Sequence, residues 1–438
     1  MNDATLKFIR QHRNDDVRTL ALKAHGQAYI DLPCALDQIA GWQTARHKLP
    51  SWAAIEGLRY PPHLSMEQCS SEKAARYKAT QLQRLLKLSG TSGASGLSRL
   101  SESPTLVDLT GGFGVDFSFL SRDFAKAIYV EQQPHLCDTA RHNFPLLGLA
   151  NTDIVCADAI DYLRQMEPAT VIFLDPARRN AHGQRTFAIS DCTPDVTALR
   201  DELAAKAEWT LVKLSPMLDW HKAVDDLSPL VREVHIVAID GECKELLLVL
   251  SQQHEQPLHL FCECDGNSFI CEPLSPPMHF GGILAAASLP SPLSPFEDLR
   301  EGLLLFDPNS AIMKAGCFDH VASAFRLSTI APNSHLFLAP APSEQSSERE
   351  NNNILLGGDM RGAFPGRRFR ILSITTMNKK DLRQALQGLT RANIAVRNFP
   401  MTADDLRRRL KLSDGGDTYI FGTTTADNRH LLLVCRKC

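Results

Sequence analysis

The stretch Val107-Asp108-Leu109-Thr110-Gly111-Gly112-Phe113-Gly114 decides how the rest of the chain is read. The apolar pair Leu106-Val107 suits a buried parallel strand. Gly111, Gly112 and Gly114 let the backbone turn sharply and come close to a ligand. Phe117, Phe119 and Leu120 then begin an apolar helix face. A strand, a glycine turn and a helix describe a plain tight loop, a dinucleotide site or a methyl-donor site equally well. The chain downstream must supply the other walls of a pocket.

Strands are predicted at 105–109, 127–131, 152–157, 170–174 and 209–214, separated mostly by stretches long enough for helices. This is the rhythm of a doubly wound parallel sheet. Two closely spaced strands follow at 233–239 and 244–250, with the hairpin signal Asp240-Gly241 between them. A parallel sheet finished by an antiparallel hairpin separates this chain from an ordinary nicotinamide-binding domain. Open α/β sheets bind ligands at the carboxyl ends of their strands. Asp108 ends the first strand. Glu131 ends the second and can accept both hydroxyls of a ribose. Asp158 ends the third, beside Ala159, where a carboxylate can accept from an adenine amino group. Asp175 ends the fourth, in Asp175-Pro176-Ala177-Arg178-Arg179. One acid at one strand end reads more readily as a helix cap. Four acids on four successive strand ends outline a rim for ribose, adenine and a reacting group.

This pattern resembles the class I S-adenosylmethionine-dependent methyltransferases. The resemblance implies a seven-stranded Rossmann-like α/β sheet with S-adenosylmethionine as cofactor. It assigns Asp108, Thr110, Gly111, Gly112 and Gly114 to the methionine part, Glu131 to ribose, and Asp158 and Ala159 to adenine. Thr110 stands where the family usually has its first glycine. Asp175 borders the methyl acceptor and would align or deprotonate it for a direct in-line transfer, with Arg178, Arg179 and Lys213 placed to clamp phosphate or polarise a group. Nitrogen-directed relatives carry Asp/Asn-Pro-Pro-aromatic at this point, whereas this chain has Asp-Pro-Ala-Arg. Neither this motif nor Val212-Lys213-Leu214-Ser215-Pro216 holds the cysteine that a C5-pyrimidine mechanism needs.

Further strings narrow the resemblance: Glu67-Gln68-Cys69-Ser70-Ser71-Glu72, Lys213 to Asp219, Pro308 to Gly316, Phe364-Pro365-Gly366-Arg367, Val396-Arg397-Asn398-Phe399-Pro400 and Gly415-Gly416-Asp417. They are similar to bacterial methyltransferase-like proteins in which a small ferredoxin-like piece precedes a terminal THUMP-like domain. True THUMP domains accompany RNA-modifying enzymes, so the resemblance implies structured RNA, tRNA or rRNA, as partner. The competing readings are an RNA-binding module that keeps the cofactor fold without turnover, and a methyltransferase for a protein or small molecule.

The remaining signals concern organisation. The chain has 438 residues, enough for several domains. It contains no apolar run long enough to span a membrane and no visible secretory signal, and its twelve scattered cysteines suit a reducing cytoplasm. Cys262, Cys264 and Cys271 read as an alternating strand rather than a zinc knuckle, so no metal is expected. Residues 1–88 read as a helical region, 89–253 as the cofactor domain, 254–360 as a ferredoxin-like linking region and 361–438 as a THUMP-like α+β domain. The last of these holds 16 Lys and Arg against 6 Asp and Glu, +10 in a chain of net charge −3. A basic module on an acidic body suits a polyanion. Arg367, Arg368, Arg370, Arg397, Arg407, Arg408 and Arg409 are its candidate phosphate contacts, and helix pairing with Asp404-Asp405 is the competing reading.

Overall fold

The computed structural model describes residues 1–23, 29–89, 103–177, 188–252, 257–274, 299–340 and 363–438. Two compact units emerge: Met1–Val234 with Glu245–Leu258, and His235–Lys244 with His259–Cys438. The expected loop at 89–96 (from Gly90 onward), the proline-rich run after Pro273, the polar segment 343–353, and Arg178 and Arg179 lie outside the described residues.

The chain opens with helices Asp3–His12, Val17–Lys23, Leu32–Lys48, Pro50–Ala53, His63–Gln68 and Glu72–Ser89. Tyr60-Pro61-Pro62 breaks the run, as proline must. Ser71 caps the last of these helices, accepting from Ala74 N–H (3.3 Å). The stripe Ala75, Leu82 and Leu85 buries itself in one core with Trp52, Tyr60, Phe113, Phe117, Tyr129 and Phe144. The helical region and the sheet of the first unit are therefore built around shared apolar packing.

The strands are β1 (Thr105–Asp108), β2 (Lys126–Glu131), β3 (Thr152–Cys156), β4 (Ala169–Leu174), β5 (Ala207–Leu214), β6 (Val231–Ile239), β7 (Glu242–Leu250), β8 (Leu258–Cys264) and β9 (Asn267–Leu274). Their order is β3-β2-β1-β4-β5-β7-β6-β8-β9. β1 runs parallel to β2 and β4, and β5 runs parallel to β4 and antiparallel to β7. The Rossmann-like arrangement is present, but the sheet has nine strands rather than the expected seven. The two additional strands come from 258–274, where Asp265 and Gly266 both take positive φ (51° and 87°) and close a tight turn. The expected hairpin closes the same way, with Asp240 at φ 54° and Gly241 at φ 76°. β4 is buried along its whole length, as suits a central parallel strand.

The second sheet contains β10 (Leu304–Pro308), β11 (Ser328–Thr329), β12 (Phe337–Ala339), β13 (Gly366–Thr375), β14 (Asn393–Arg397), β15 (Thr418–Thr424) and β16 (His430–Lys437), ordered β11-β12-β10-β13-β16-β15-β14. β10 pairs antiparallel with β13, so the segments expected as separate linking and terminal domains share one sheet. Two short helices follow β10, Ser310–Ala315 and Phe318–Phe325, separated because Gly316 takes the left-handed conformation and ends the first.

Candidate active site

The strand order reverses between β1 and β4, and such switch points open a crevice at the carboxyl ends of the strands. The glycine turn leaves β1 at that crevice. Gly111 N–H donates to Val130 O (2.8 Å) and Gly114 N–H to Gly111 O (2.8 Å). The three glycines have different physical reasons. A Cβ on Gly111 would lie 2.2 Å from Tyr129 Cε2. Gly114 sits at φ +84°, with Phe144 2.8 Å from where its Cβ would be. Gly112 sits at φ +55° and its missing side chain faces open space, the nearest atom being Thr110 O at 3.8 Å. Gly111 and Gly114 thus make room for aromatic rings, while Gly112 leaves backbone that a ligand can approach.

Glu131 is buried at the end of β2. Its Oε2 accepts from Gly112 N–H (2.8 Å) and its Oε1 from Gln133 N–H (2.9 Å). Each oxygen keeps a lone pair for a hydroxyl. The Tyr129 hydroxyl donates to Gly112 O, and its burial beside Glu131 pushes the phenol above its ordinary range. Asp158 caps the helix Ala159–Gln165, accepting from Ile160 N–H (2.8 Å) and Asp161 N–H (3.1 Å) through one oxygen. That cap engages Oδ1 only.

Asp108 is fully buried and accepts from Thr110 N–H (2.9 Å). Burial lifts its carboxyl well above the usual range; Thr110 N–H opposes this, and the charges of Asp116, Asp175 and Glu131 add to it. The Thr110 hydroxyl accepts from Asp175 N–H (2.6 Å), bridging the turn after β1 to the end of β4. A glycine there would lose that bridge.

Asp175 is half-buried, and its Oδ2 accepts from Lys213 Nζ at 2.5 Å. Lys213 also lies 3.6 Å from Asp116 Oδ2. Burial works to depress the Lys213 ammonium, but Asp175, Asp116 and Glu245 outweigh it and hold the proton more firmly than usual. Asp116 is in turn 3.0 Å from Lys78 Nζ and accepts from the Ser70 hydroxyl at 2.7 Å. Lys78 donates to both oxygens of Glu245 at 2.7 Å. Burial raises the Asp116 carboxyl, yet Lys78 and Lys213 bring it below its ordinary value.

The sequence reading missed Ser70, Lys78, Asp116, Tyr129 and Glu245. Cys262 and Cys264 lie on β8, as the strand reading expected, and Cys271 on β9; Cys262 faces Cys317 with sulfurs 4.0 Å apart, while Cys264 lies against Asp265 at 3.8 Å. Among the described residues no group of three or more His, Cys, Asp or Glu is arranged to hold a metal ion. No helix among them is long and apolar enough to cross a membrane.

The basic module sorts its arginines. Arg367 and Arg397 clamp the buried Asp307 at 2.7 and 2.9 Å. Arg407 pairs with Asp404 and Asp414, and Arg408 with Asp405. Arg368 and Arg370 are exposed on β13 with no ion pair among the described residues. Arg370 stands directly opposite Arg436 of β16, so both side chains share a face with Arg368, two residues along. Arg436 is a further arginine that sequence reading did not single out.

With this geometry in place, comparison with known proteins identifies relatives. A family model described as THUMP domain-like matches residues 366–437, and one described as a ferredoxin-like domain matches residues 304–345. A crystal structure from Porphyromonas gingivalis W83, provisionally described as a methyltransferase, is 29% identical over 99% of this chain and 98% of that one, with a TM-score of 0.76. An S-adenosylmethionine-dependent methyltransferase from Agrobacterium tumefaciens is 15% identical over 40% of this chain and 61% of that one, TM-score 0.29. An rRNA methylase from Streptococcus thermophilus is 14% identical over 34% of this chain and 87% of that one, TM-score 0.27. No curated protein matches. The chain is thus similar over nearly its whole length to that Porphyromonas gingivalis protein and matches the THUMP domain-like model over its last segment, the resemblance its motifs implied.

Proposed function

We propose that this chain is an S-adenosylmethionine-dependent methyltransferase acting on structured RNA, tRNA or rRNA. The observation that carries the reading is the crevice at the β1/β4 switch point, where the open backbone at Gly112 lies beside a buried, backbone-anchored Glu131. The donor set fits the cofactor. Glu131 would hold the ribose, Asp158 and Ala159 the adenine, and Asp108, Thr110, Gly111, Gly112 and Gly114 the methionine part. When bound, the cofactor supplies a methyl group activated by its sulfonium.

The protein's own contribution is positioning and charge. Asp175 keeps one oxygen on Lys213, and its other oxygen serves to accept a hydrogen bond from the acceptor and orient it. Arg178 is the proposed third member of the acceptor side. Support for an RNA partner comes from the THUMP domain-like match and from the exposed arginines of its sheet. Arg368 and Arg370, with Arg436, are the primary phosphate contacts in this reading. Arg367, Arg397 and Arg408 contribute through the donors their carboxylate partners leave unused. The divisions 1–88, 89–253, 254–360 and 361–438 are proposed as functional modules.

Calorimetry with S-adenosylmethionine, with Glu131→Ala as control, tests the pocket. Heat of binding that the variant abolishes is expected; no heat with the native protein rejects the enzyme reading.

A further inference from the structure

We infer that Lys78, from the N-terminal helix Glu72–Ser89, is a positioning residue for the acceptor side of the site: by occupying Asp116 and Glu245, it keeps the Lys213 ammonium on Asp175. The inference rests on the methyltransferase reading only for the role of Asp175.

Lys78 has no exposed side-chain surface, which is rare for lysine and requires paired charges around it. Five ionisable groups form one chain, buried except at its half-buried end, Asp175. Glu245 of β7 holds Lys78 at 2.7 Å, and Lys78 lies 3.0 Å from Asp116 of the helix Val115–Leu120. Asp116 lies 3.6 Å from Lys213 of β5, and Lys213 holds Asp175 at 2.5 Å. Two cations thus serve three carboxylates, with Asp108 of β1 as a fourth acid nearby.

The distances show how the charges are shared. Lys213 stands 1.1 Å closer to Asp175 than to Asp116 (2.5 against 3.6 Å). Asp116 does not draw it closer because the Ser70 hydroxyl donates to its Oδ2 and the Lys78 ammonium, 3.0 Å from its Oδ1, offsets its charge as an ion pair, although Oδ1 accepts no hydrogen bond. Without Lys78, Asp116 and Glu245 become buried anions, and Lys213 stands 3.6 Å from Asp116 and within the field of Glu245. Lys213 would then move to Asp116, the more buried partner, and Asp175 would lose the group that fixes its carboxylate. The N-terminal helical region would thereby set the geometry at a strand end that it does not itself occupy.

The test reads Asp175 directly. The protein is labelled with 13C at aspartate side-chain carboxyls, the Asp175 signal is assigned with Asp175→Asn, and its chemical shift is read by NMR at neutral pH. Lys213→Met marks the signal of an Asp175 that has lost its ammonium partner. Lys78→Met should move the Asp175 signal toward that position, because Lys213 is drawn to Asp116. Asp116→Asn alone should leave the signal close to its native position, and Lys78→Met in the Asp116→Asn background should move it far less than Lys78→Met alone. Should Lys78→Met fail to fold, Lys78→Gln is read in its place. An unchanged Asp175 signal in the folded Lys78 variant overturns the inference, as does an equal shift with and without Asp116. Calorimetry of the native protein with S-adenosylmethionine runs alongside. If it shows no heat, the enzyme reading fails while the Asp175 signal still decides the role of Lys78.

Discussion

Replacing Gly111 with alanine separates the packing role of the glycine turn from its ligand role. The added Cβ would lie 2.2, 2.5 and 2.6 Å from three atoms of the Tyr129 ring. Ordinary carbon contacts sit near 3.5–4.0 Å, so the ring must retreat by about 1 Å or more. It has nowhere to go. Tyr129 is wholly buried, with Phe117 at 5.6 Å and Phe144 at 5.3 Å between ring centroids. Overpacking of this kind costs about 3 kcal/mol, and pulling the tyrosine hydroxyl off Gly112 O adds about 1 kcal/mol. Denaturant unfolding of Gly111→Ala should therefore show a loss of about 3–4 kcal/mol. A Tyr129→Leu background removes the ring that clashes. There the same alanine should cost less than about 1 kcal/mol, a coupling of about 2 kcal/mol or more between the two positions. If Gly111→Ala lies within about 0.5 kcal/mol of the native protein, or costs the same in both backgrounds, the packing explanation of this glycine is wrong.

Other expectations follow from the same geometry. Asp158→Ala should cost about 1 kcal/mol through loss of the helix cap, while Asp158→Asn keeps the cap and most of the stability; thermal unfolding of the pair checks this. Asp108 has a folded-state carboxyl raised well above 3.8, so the native protein holds a proton that the unfolded chain has released, and stability should fall as pH rises from about 4 through the raised value. Asp108→Asn should flatten that fall in a series of denaturation curves against pH. Arg397→Ala should destabilise by about 1–3 kcal/mol, since it strips a partner from the buried Asp307. Arg370→Glu with Arg436→Glu should leave stability nearly unchanged, yet weaken retention of bulk tRNA and reduce the salt dependence of binding by about two phosphate contacts.

The strand ends were legible because their signals are local. Val107, Val130, Val155 and Ile172 sit in short apolar runs, each followed by turn residues, and Asp108, Glu131, Asp158 and Asp175 stand where those four runs stop. Asp240-Gly241 announced its hairpin because both residues tolerate positive φ. The capping role of Asp158 was also legible, as the plainer reading of one acid at one strand end. What the sequence hid depends on distant partners. Lys78 and Glu245 are 167 positions apart, and a lysine on an amphipathic helix reads as a solvated face until the sheet closes over it. Asp307 lies 60 and 90 residues from the two arginines that clamp it, so those arginines read as open phosphate contacts. β14 is half-buried throughout, so Asn393 to Arg397 carries no clean alternation that would announce a strand. The nine-strand count escaped because Leu258 to Cys264 read as a strand without saying which sheet it would join.

The central claim is methyl transfer to RNA. Mass spectrometry of nucleosides from tRNA and rRNA, compared between cells with the gene and cells without it, tests this claim most directly. The account predicts one methylated nucleoside that disappears with the gene and returns with the native protein but not with Glu131→Ala. An unchanged set of methylated nucleosides in both RNA classes would contradict it.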